Sequence, residues 1–478
     1  MDGPTAADTF VENTRLAPRF GLIGFIRRVR EDQLSTLVPE VFGRPMTYNR
    51  ILLLHNFLLN KPEYIEHVLL TNQANYSKSH FLRRMLGPVL GEGLLISEGE
   101  LWRRQRRIAA PAFHNKRIAA FVATFGSCTQ ATLARWPSMT GPFDVAAEMM
   151  RLTLDIVART MFSTNVSGEV ETVRRLMDFV VSVRPSVLDL LGLPEWLPRH
   201  QPRAYRRAVA GFEALVSRLL AERRADGIDR GDLLSMLLAA RDPETGSPMS
   251  DKQLRDEILT IFIAGHETVA NAMSWTWYLL AQHPQAEARL HDELDRVLGG
   301  RVPNYADLSE LKWTRMVIEE AMRLYPPAHT IARTALGEDR IGGVRVPAGS
   351  FMTISIYVTH RNPSLWPEPE RFDPGRFAPE EVARRHRFAY LPFGGGPRVC
   401  IGNSFAIAEA QVILATIAQH YRLRLAPGYS VQPIGLVTLR PKTGIWVTLE
   451  PRRPPPSDDT LDLVAALPAD AMLTSGFA

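Results

Sequence analysis

Apolar and polar positions along this chain follow two different periods. Between about 97 and 325 apolar residues recur at helical spacing, and from about 329 onward they alternate at strand spacing between turn signals. Within the first region helical patterns cover about 144–162, 168–183, 203–225 and 230–241. Ser97-Glu98-Gly99-Glu100 reads as a capping box that opens a helix over 101–110, and Ser250-Asp251-Lys252-Gln253 as a second one. The helix opened by the second box runs to about 281. It is apolar on nearly every side around 258–264, which predicts burial in the centre of a large fold.

Strand-like runs at 330–336 and 351–357 are separated by Gly-Gly and Pro-Ala-Gly turns, which predicts a small sheet. Residues 361–398 are rich in Pro, Gly and Arg and read as an irregular, ordered loop. Helix returns over about 403–421, followed by strand-like runs near 431–439 and 444–449. From Arg452 the chain reads RRPPPSDD, so 453–478 is expected to be a flexible Pro-rich tail and 1–452 a single domain. A short amphipathic turn over 460–467 is the less favoured reading of that tail.

Composition narrows the class. The chain has 478 residues, 45% hydrophobic and 22% charged, which suits a globular protein and excludes collagen-like and disordered classes. Two cysteines, Cys128 and Cys400, cannot build a disulfide framework, so a reducing compartment and a cytoplasmic location are expected. No apolar run reaches the ~20 residues that cross a bilayer, and the start MDGPTAADTF lacks the features of a signal peptide. Net charge is +5, with 50 Arg against 6 Lys, a bias that reads as genome composition. Without a dense basic stripe interleaved with aromatics, nucleic acid is not an expected partner.

The chemistry concentrates at Phe393-Gly-Gly-Gly-Pro-Arg-Val-Cys-Ile-Gly402. A lone Cys is usually a small buried hydrophobe. Here glycines allow close backbone approach, while a following helix start and Arg398 favour thiolate over thiol. That combination suits a sulfur that binds a metal cofactor. A phosphate-binding loop is the rival, but it needs a Lys-Ser/Thr pair that is absent.

The pattern Phe393-x-x-Gly396-x-Arg398-x-Cys400-x-Gly402 resembles the haem-binding signature of the cytochrome P450 family. The resemblance implies a mainly α fold with a small β region, a central buried helix over haem b and a Cys-ligand loop beneath it. It implies Cys400 as the axial thiolate on iron, Arg398 on a haem propionate, Phe393 beside the sulfur and Gly402 where the next helix nears the porphyrin. Further motifs fit the same family. Glu320-Ala-Met-Arg323 places both charges on one helix face, and with Arg371 of Pro-Glu-Arg371-Phe it is expected to form a buried structural network. Ala264-Gly265-His266-Glu267-Thr268 lies in the apolar helix. By resemblance Ala264 and Gly265 leave room for dioxygen, Thr268 hydrogen-bonds it and Glu267 relays protons, with His266 on the helix surface. Trp102 and Arg106 match the family's Trp-x-x-x-Arg pattern for a propionate, and Arg333 occupies a further propionate-binding place. Arg103, Arg104 and Arg107 are read as a basic face for an acidic electron donor.

The resemblance spans roughly 45–450 and implies a bacterial-type monooxygenase. It would take O2 and two electrons from a separate ferredoxin or flavodoxin with its NAD(P)H reductase, and work as a monomer without a transmembrane anchor. The substrate is expected to be hydrophobic: a terpenoid, fatty acyl chain or steroid-like molecule. Its pocket should draw on 81–96, 179–193, Phe262, Ile263, Ile331, Ile434, Leu436 and Val437. The alternatives are a peroxide-driven peroxygenase, against which Glu267 and Thr268 speak, and a non-catalytic haem sensor. Membrane contact by residues 20–26, ahead of Arg27-Arg28, is the less favoured reading.

Overall fold

The computed structural model describes residues 21–51, 54–163 and 203–452, with Arg184, Ser186 and Val187 from the stretch between. The helix expected over 168–183, most of the pocket segment 179–193 and the tail 453–478 lie outside the described residues. The longer helices are α1 (Leu22–Glu31), α2 (His80–Leu90), α3 (Gly99–Ala109), α4 (Asn115–Leu133), α5 (Val145–Phe162), α6 (Arg203–Asp226), α7 (Leu233–Ala239), α8 (Asp251–Leu280), α9 (Pro284–Leu298), α10 (Lys312–Leu324) and α11 (Asn403–His420). At 30 residues α8 is about 45 Å long, and it packs against α5, α10 and α11. Its N-terminus is capped as expected, Ser250 Oγ accepting from Gln253 N at 3.2 Å.

The first capping box does not form. Glu98, not Ser97, precedes α3, and its carboxylate is drawn elsewhere, accepting from Lys78 N at 2.6 Å and from Arg398. A charged pair and a strand end compete successfully with a local cap.

Among the described residues twelve strands make four small sheets: β1 (Met46–Ile51), β2 (Leu54–Leu59), β3 (Tyr76–Lys78), β4 (Phe143–Asp144), β5 (Thr330–Ala335), β6 (Asp339–Ile341), β7 (Val344–Val346), β8 (Phe351–Ser355), β9 (Tyr421–Leu425), β10 (Pro433–Gly435), β11 (Leu439–Pro441) and β12 (Trp446–Pro451). The run expected near 431–439 is a hairpin, β10 against β11. The largest sheet has the order β1-β2-β8-β5-β3, with β2 and β8 parallel. Because strand side chains alternate, its two faces differ. Met46, Phe57, Leu59, Met352 and Ile354 bury one face in a small apolar core, while Thr47, Asn56 and Thr353 turn the other toward a cavity. The larger core lies among the helices. Helical core, sheet and the 361–402 loop together enclose that cavity.

Candidate active site

The loop before α11 is shaped by backbone that only glycine accommodates easily. Gly394 and Gly396 have φ of 74° and 68°, and a Cβ on Gly396 would lie 1.9 Å from Leu69 O. Gly402 is under no such pressure, its nearest neighbour being the Phe113 ring at 3.8 Å. Cys400 N donates to Phe393 O at 2.9 Å, and Arg106 Nη1 to Val399 O at 2.7 Å, fixing the turn on both sides of the sulfur. The accessible surface of Cys400 faces the cavity. Burial in the surrounding protein pushes its thiol up, opposed by the Gly402 N–H and the Arg106 cation.

At one edge of the cavity cations crowd together. Lys78, Arg333 and Arg398 all line it, Arg398 stacks over the Trp102 ring at 4.1 Å, and Arg106 is close by. Glu98 pairs with Arg398, whose Nη1 also donates to Ser97 O at 2.9 Å. Among the described residues the Arg333 guanidinium donates only to Ala332 O, at 2.9 Å. Burial, then repulsion from Arg398, lowers Arg333 to about 10. Burial, then Arg398, holds Lys78 well below the usual lysine range. Lys78 was invisible to spacing arguments, being a single Lys on a three-residue strand; the signal available was its place beside Arg333 once β3 and β5 pair.

Helix α8 presents Ala264, Gly265 and Thr268 to the cavity that Cys400 also lines. Thr268 Oγ1 donates to Ala264 O at 2.6 Å, and a Cβ at Gly265 would meet Val157 at an ordinary 3.5 Å. Glu267 is buried, accepts from Thr438, and is pushed up by that burial against the pull of Thr438, Arg440 and Asn271. His266 is not on the surface. It is buried against α5 with Nε2 at 3.0 Å from Met150 O, and burial lowers it to about 4. Phe262 does not line the cavity either; it packs on the Phe162 and Phe212 rings at 6.2 and 5.3 Å. Ile263, Ile331, Leu436 and Val437 do line it.

The charge network needs one correction. Glu320 and Arg323 are fully buried and bidentate, Nε to Oε2 at 2.6 Å and Nη2 to Oε1 at 2.8 Å. The Arg371 side chain is 61% exposed and pairs with Glu368, contributing only its carbonyl, which accepts from Arg323 at 3.0 Å. The third cation is Arg376, 3.5 Å from Glu320. The loop turns at Asp373, whose N–H donates to Glu320 at 2.8 Å, and this brings in the later arginine. Arg323 also donates to the carbonyls of His360 and Pro369 at 2.8 and 2.7 Å. His360, which spacing did not reveal, carries the network onward. Its Nδ1 faces Arg323 O at 3.2 Å and its Nε2 accepts from Leu391 N at 2.8 Å, two residues before Phe393.

Arg103, Arg104 and Arg107 do not form a free basic face. Arg103 pairs with Glu100, Arg104 with Asp242, and Arg107 with Asp242 and Glu244.

The donor set tests which group the cavity of about 1050 Å³ can hold. Cys400 lines it together with Ala264, Gly265 and Thr268 of α8, and three crowded cations stand at its edge, with Glu98 paired to Arg398 and Glu257 acting on Lys78. Such an excess of buried positive charge calls for further anions. A porphyrin iron, which Cys400 would hold by its soft sulfur and whose two carboxylate arms Arg333, Arg398 and Lys78 would meet, fits on both counts. The site is that of a haem-thiolate protein.

The chain belongs to the cytochrome P450 family, whose model, described as Cytochrome P450, matches residues 15–447. It is a monooxygenase with a haem-thiolate cofactor, using O2, an organic substrate and redox partners. It is 41% identical to "Cyclooctatin synthase" of Streptomyces melanosporofaciens over 375 residues, 78% of this chain and 81% of that one. It is 39% identical to "Cyclooctat-9-en-7-ol 5-monooxygenase" of the same organism over the same shares. "Pentalenene oxygenase" of Streptomyces avermitilis is 34% identical, over 82% of this chain and 87% of that one. The crystal structure of the cytochrome P450DA haem domain superposes with a TM-score of 0.81 at 29% identity, covering 92% of this chain and 97% of that one. Among the described residues no helix is long and apolar enough to cross a membrane.

Proposed function

We propose that this enzyme hydroxylates or epoxidises a terpenoid, with Cys400 as the iron ligand and 1–452 as one catalytic domain. The observation that carries the reading is a large cavity lined by Cys400 together with Ala264 and Thr268, and walled largely by apolar side chains. Similarity to proteins named for terpenoid oxidation supports the substrate class.

When bound, haem with a sulfur ligand activates dioxygen with two electrons and delivers one oxygen atom to a C–H or C=C bond. The chain's own residues have four tasks. Arg333, Arg398, Lys78 and Trp102 hold the haem carboxylates, and Arg106 braces the loop at Val399. Phe393 and Gly396 shape the turn that aims the sulfur, while Gly402 leads into α11. Ile261, Ile263 and Leu436 exclude water from the reacting face. Glu267, its carboxyl pushed up by burial, lies against Thr438, and Thr268 offers a hydroxyl inside the cavity, so that the two form a proton path.

Electrons come from a separate acidic ferredoxin or flavodoxin served by an NAD(P)H reductase. Lys116 and Arg117 are exposed at the start of α4, beside Phe113, which stands next to Gly402; they take the place of the paired arginines of α3. The reading includes a monomer in the cytoplasm, in keeping with Cys128 and Cys400 both being unpaired.

The reduced, CO-bound absorption spectrum tests it. The thiolate-type Soret band is expected in the native enzyme and absent in Cys400→Ser. A nitrogen-type band in the native enzyme overturns the assignment. Spin-state titration with terpenes then tests the substrate class.

A further inference from the structure

The cavity has a helical wall and a sheet wall. The helical wall includes Val157, Met161, Ile261 and Ile263. The sheet wall is mixed: Leu54, Leu58 and Phe351 line the cavity together with Thr47, Asn56 and Thr353, from the adjacent strands β1, β2 and β8. Their strand neighbours Met46, Phe57 and Met352 point the other way into the small core. Pleating thus sorts the residues of each strand: Thr47, Asn56 and Thr353 fall on the cavity side, while Tyr48 of β1 joins the small core and pairs with His55 at 2.9 Å.

We propose that the substrate is a terpenoid that already carries oxygen, and that the Asn56–Thr353 pair holds its hydroxyl or carbonyl group. The inference rests on the terpenoid reading and adds a polar handle to it. Thr353 Oγ1 donates to Asn56 Oδ1 at 2.9 Å, bridging β2 and β8. In that arrangement the two N–H bonds of the Asn56 amide meet no acceptor among the described residues, although Asn56 is half-buried on the cavity wall. One strand over, Thr47 is buried and its Oγ1 has no partner among the described residues. By contrast, Thr330 on the same face is already engaged with His329 Nδ1 at 3.0 Å.

A bare hydrocarbon filling this space would strip water from the amide and return nothing, and an unmatched buried donor is costly. A neutral oxygen on the ligand takes the place of that water. Asn and Thr are both uncharged, so a neutral handle matches them. An amphiphilic ligand then orients itself, its oxygen on the sheet and its hydrocarbon skeleton against α5 and α8. The reaction that supplies this substrate is one that leaves an oxygen on the terpenoid skeleton.

The test compares matched pairs, abietadiene with abietadienol and farnesene with farnesol, by spin-state titration of the haem-loaded full-length enzyme. The variants are Asn56→Leu and Thr353→Val, and the CO-bound spectrum confirms that each remains folded. Asn56→Leu should lower the alcohol-to-hydrocarbon affinity ratio by roughly tenfold and Thr353→Val by several-fold. A ratio unchanged in both variants overturns the polar handle, even if both ligands bind more weakly, since a merely structural bridge would weaken both alike. If no member of either pair shifts the spin state of the native enzyme, the terpenoid reading fails and takes this inference with it.

Discussion

At the residue scale, the buried Arg323 guanidinium joins helix α10 to the loop that carries the sulfur, and it does so through carbonyls as much as through charge. Removing Glu320, its only carboxylate partner among the described residues, leaves a cation with no water to receive it. Glu320→Ala should therefore cost about 3–5 kcal/mol, seen as loss of haem incorporation and a lower denaturant midpoint. Arg371→Ala should stay within about 0.5 kcal/mol, as expected for an exposed pair. The PERF motif names Arg371, yet which arginine turns inward depends on the Asp373 turn, a tertiary fact that spacing cannot carry. The turn at Gly396 was legible because its constraint is local, a positive φ in its own backbone. Lys78 and His360 were not, because each becomes meaningful only beside residues far away in the chain. Glu257 on α8 adds a pH dependence. Burial, opposed by the Leu94 N–H and Lys78 and reinforced by Asp256, raises its carboxyl to about 7. A raised folded-state value means the native state holds the proton more tightly than the unfolded chain. The stabilisation is complete below about 4.5 and is lost as pH climbs toward 7. Glu257→Gln should thus gain Tm relative to the native enzyme between pH 5 and pH 8, and a constant difference across that range would refute the assignment.

At the element scale, the turn before α11 and the centre of α8 have different tolerances. Gly396 meets Leu69 O from a five-residue π-turn, His67–Thr71, so any side chain there must displace backbone. Gly396→Ala should yield a chain that loses the thiolate-type CO spectrum or fails to retain haem, whereas Gly402→Ala, with 3.8 Å to spare, should keep both. On α8 the Thr268 hydroxyl returns to the carbonyl one turn back, a bond that adds little to helix stability. Thr268→Ala should leave Tm nearly unchanged while more of the reducing equivalents end as hydrogen peroxide, measured as peroxide formed per NAD(P)H consumed. Helix α8 itself was readable from its unbroken apolar stretch and its Ser250 cap. The start of α3 was misread because Glu98 serves Lys78 and Arg398 instead of the helix end.

At the scale of the whole molecule, the cavity lies where the helical core meets the sheet, so the haem is part of what completes the fold. Without it Lys78, Arg333 and Arg398 repel one another across an apolar space. Lys78→Met should accordingly raise the Tm of the haem-free chain while speeding haem transfer to apomyoglobin; slower transfer would show that Lys78 has no share in holding the cofactor. The mainly α architecture with its β annex was legible from the change of period near residue 329. The two-sided character of the sheet was not, since it depends on which strands become neighbours. That division has an evolutionary corollary. Along β1, β2 and β8 the residues that pack the small core and those that line the cavity occupy alternate positions, so the two sets can drift independently. Duplicated copies of such a gene can diverge toward new molecules by changes at 47, 56 and 353 while their architecture stays where it was.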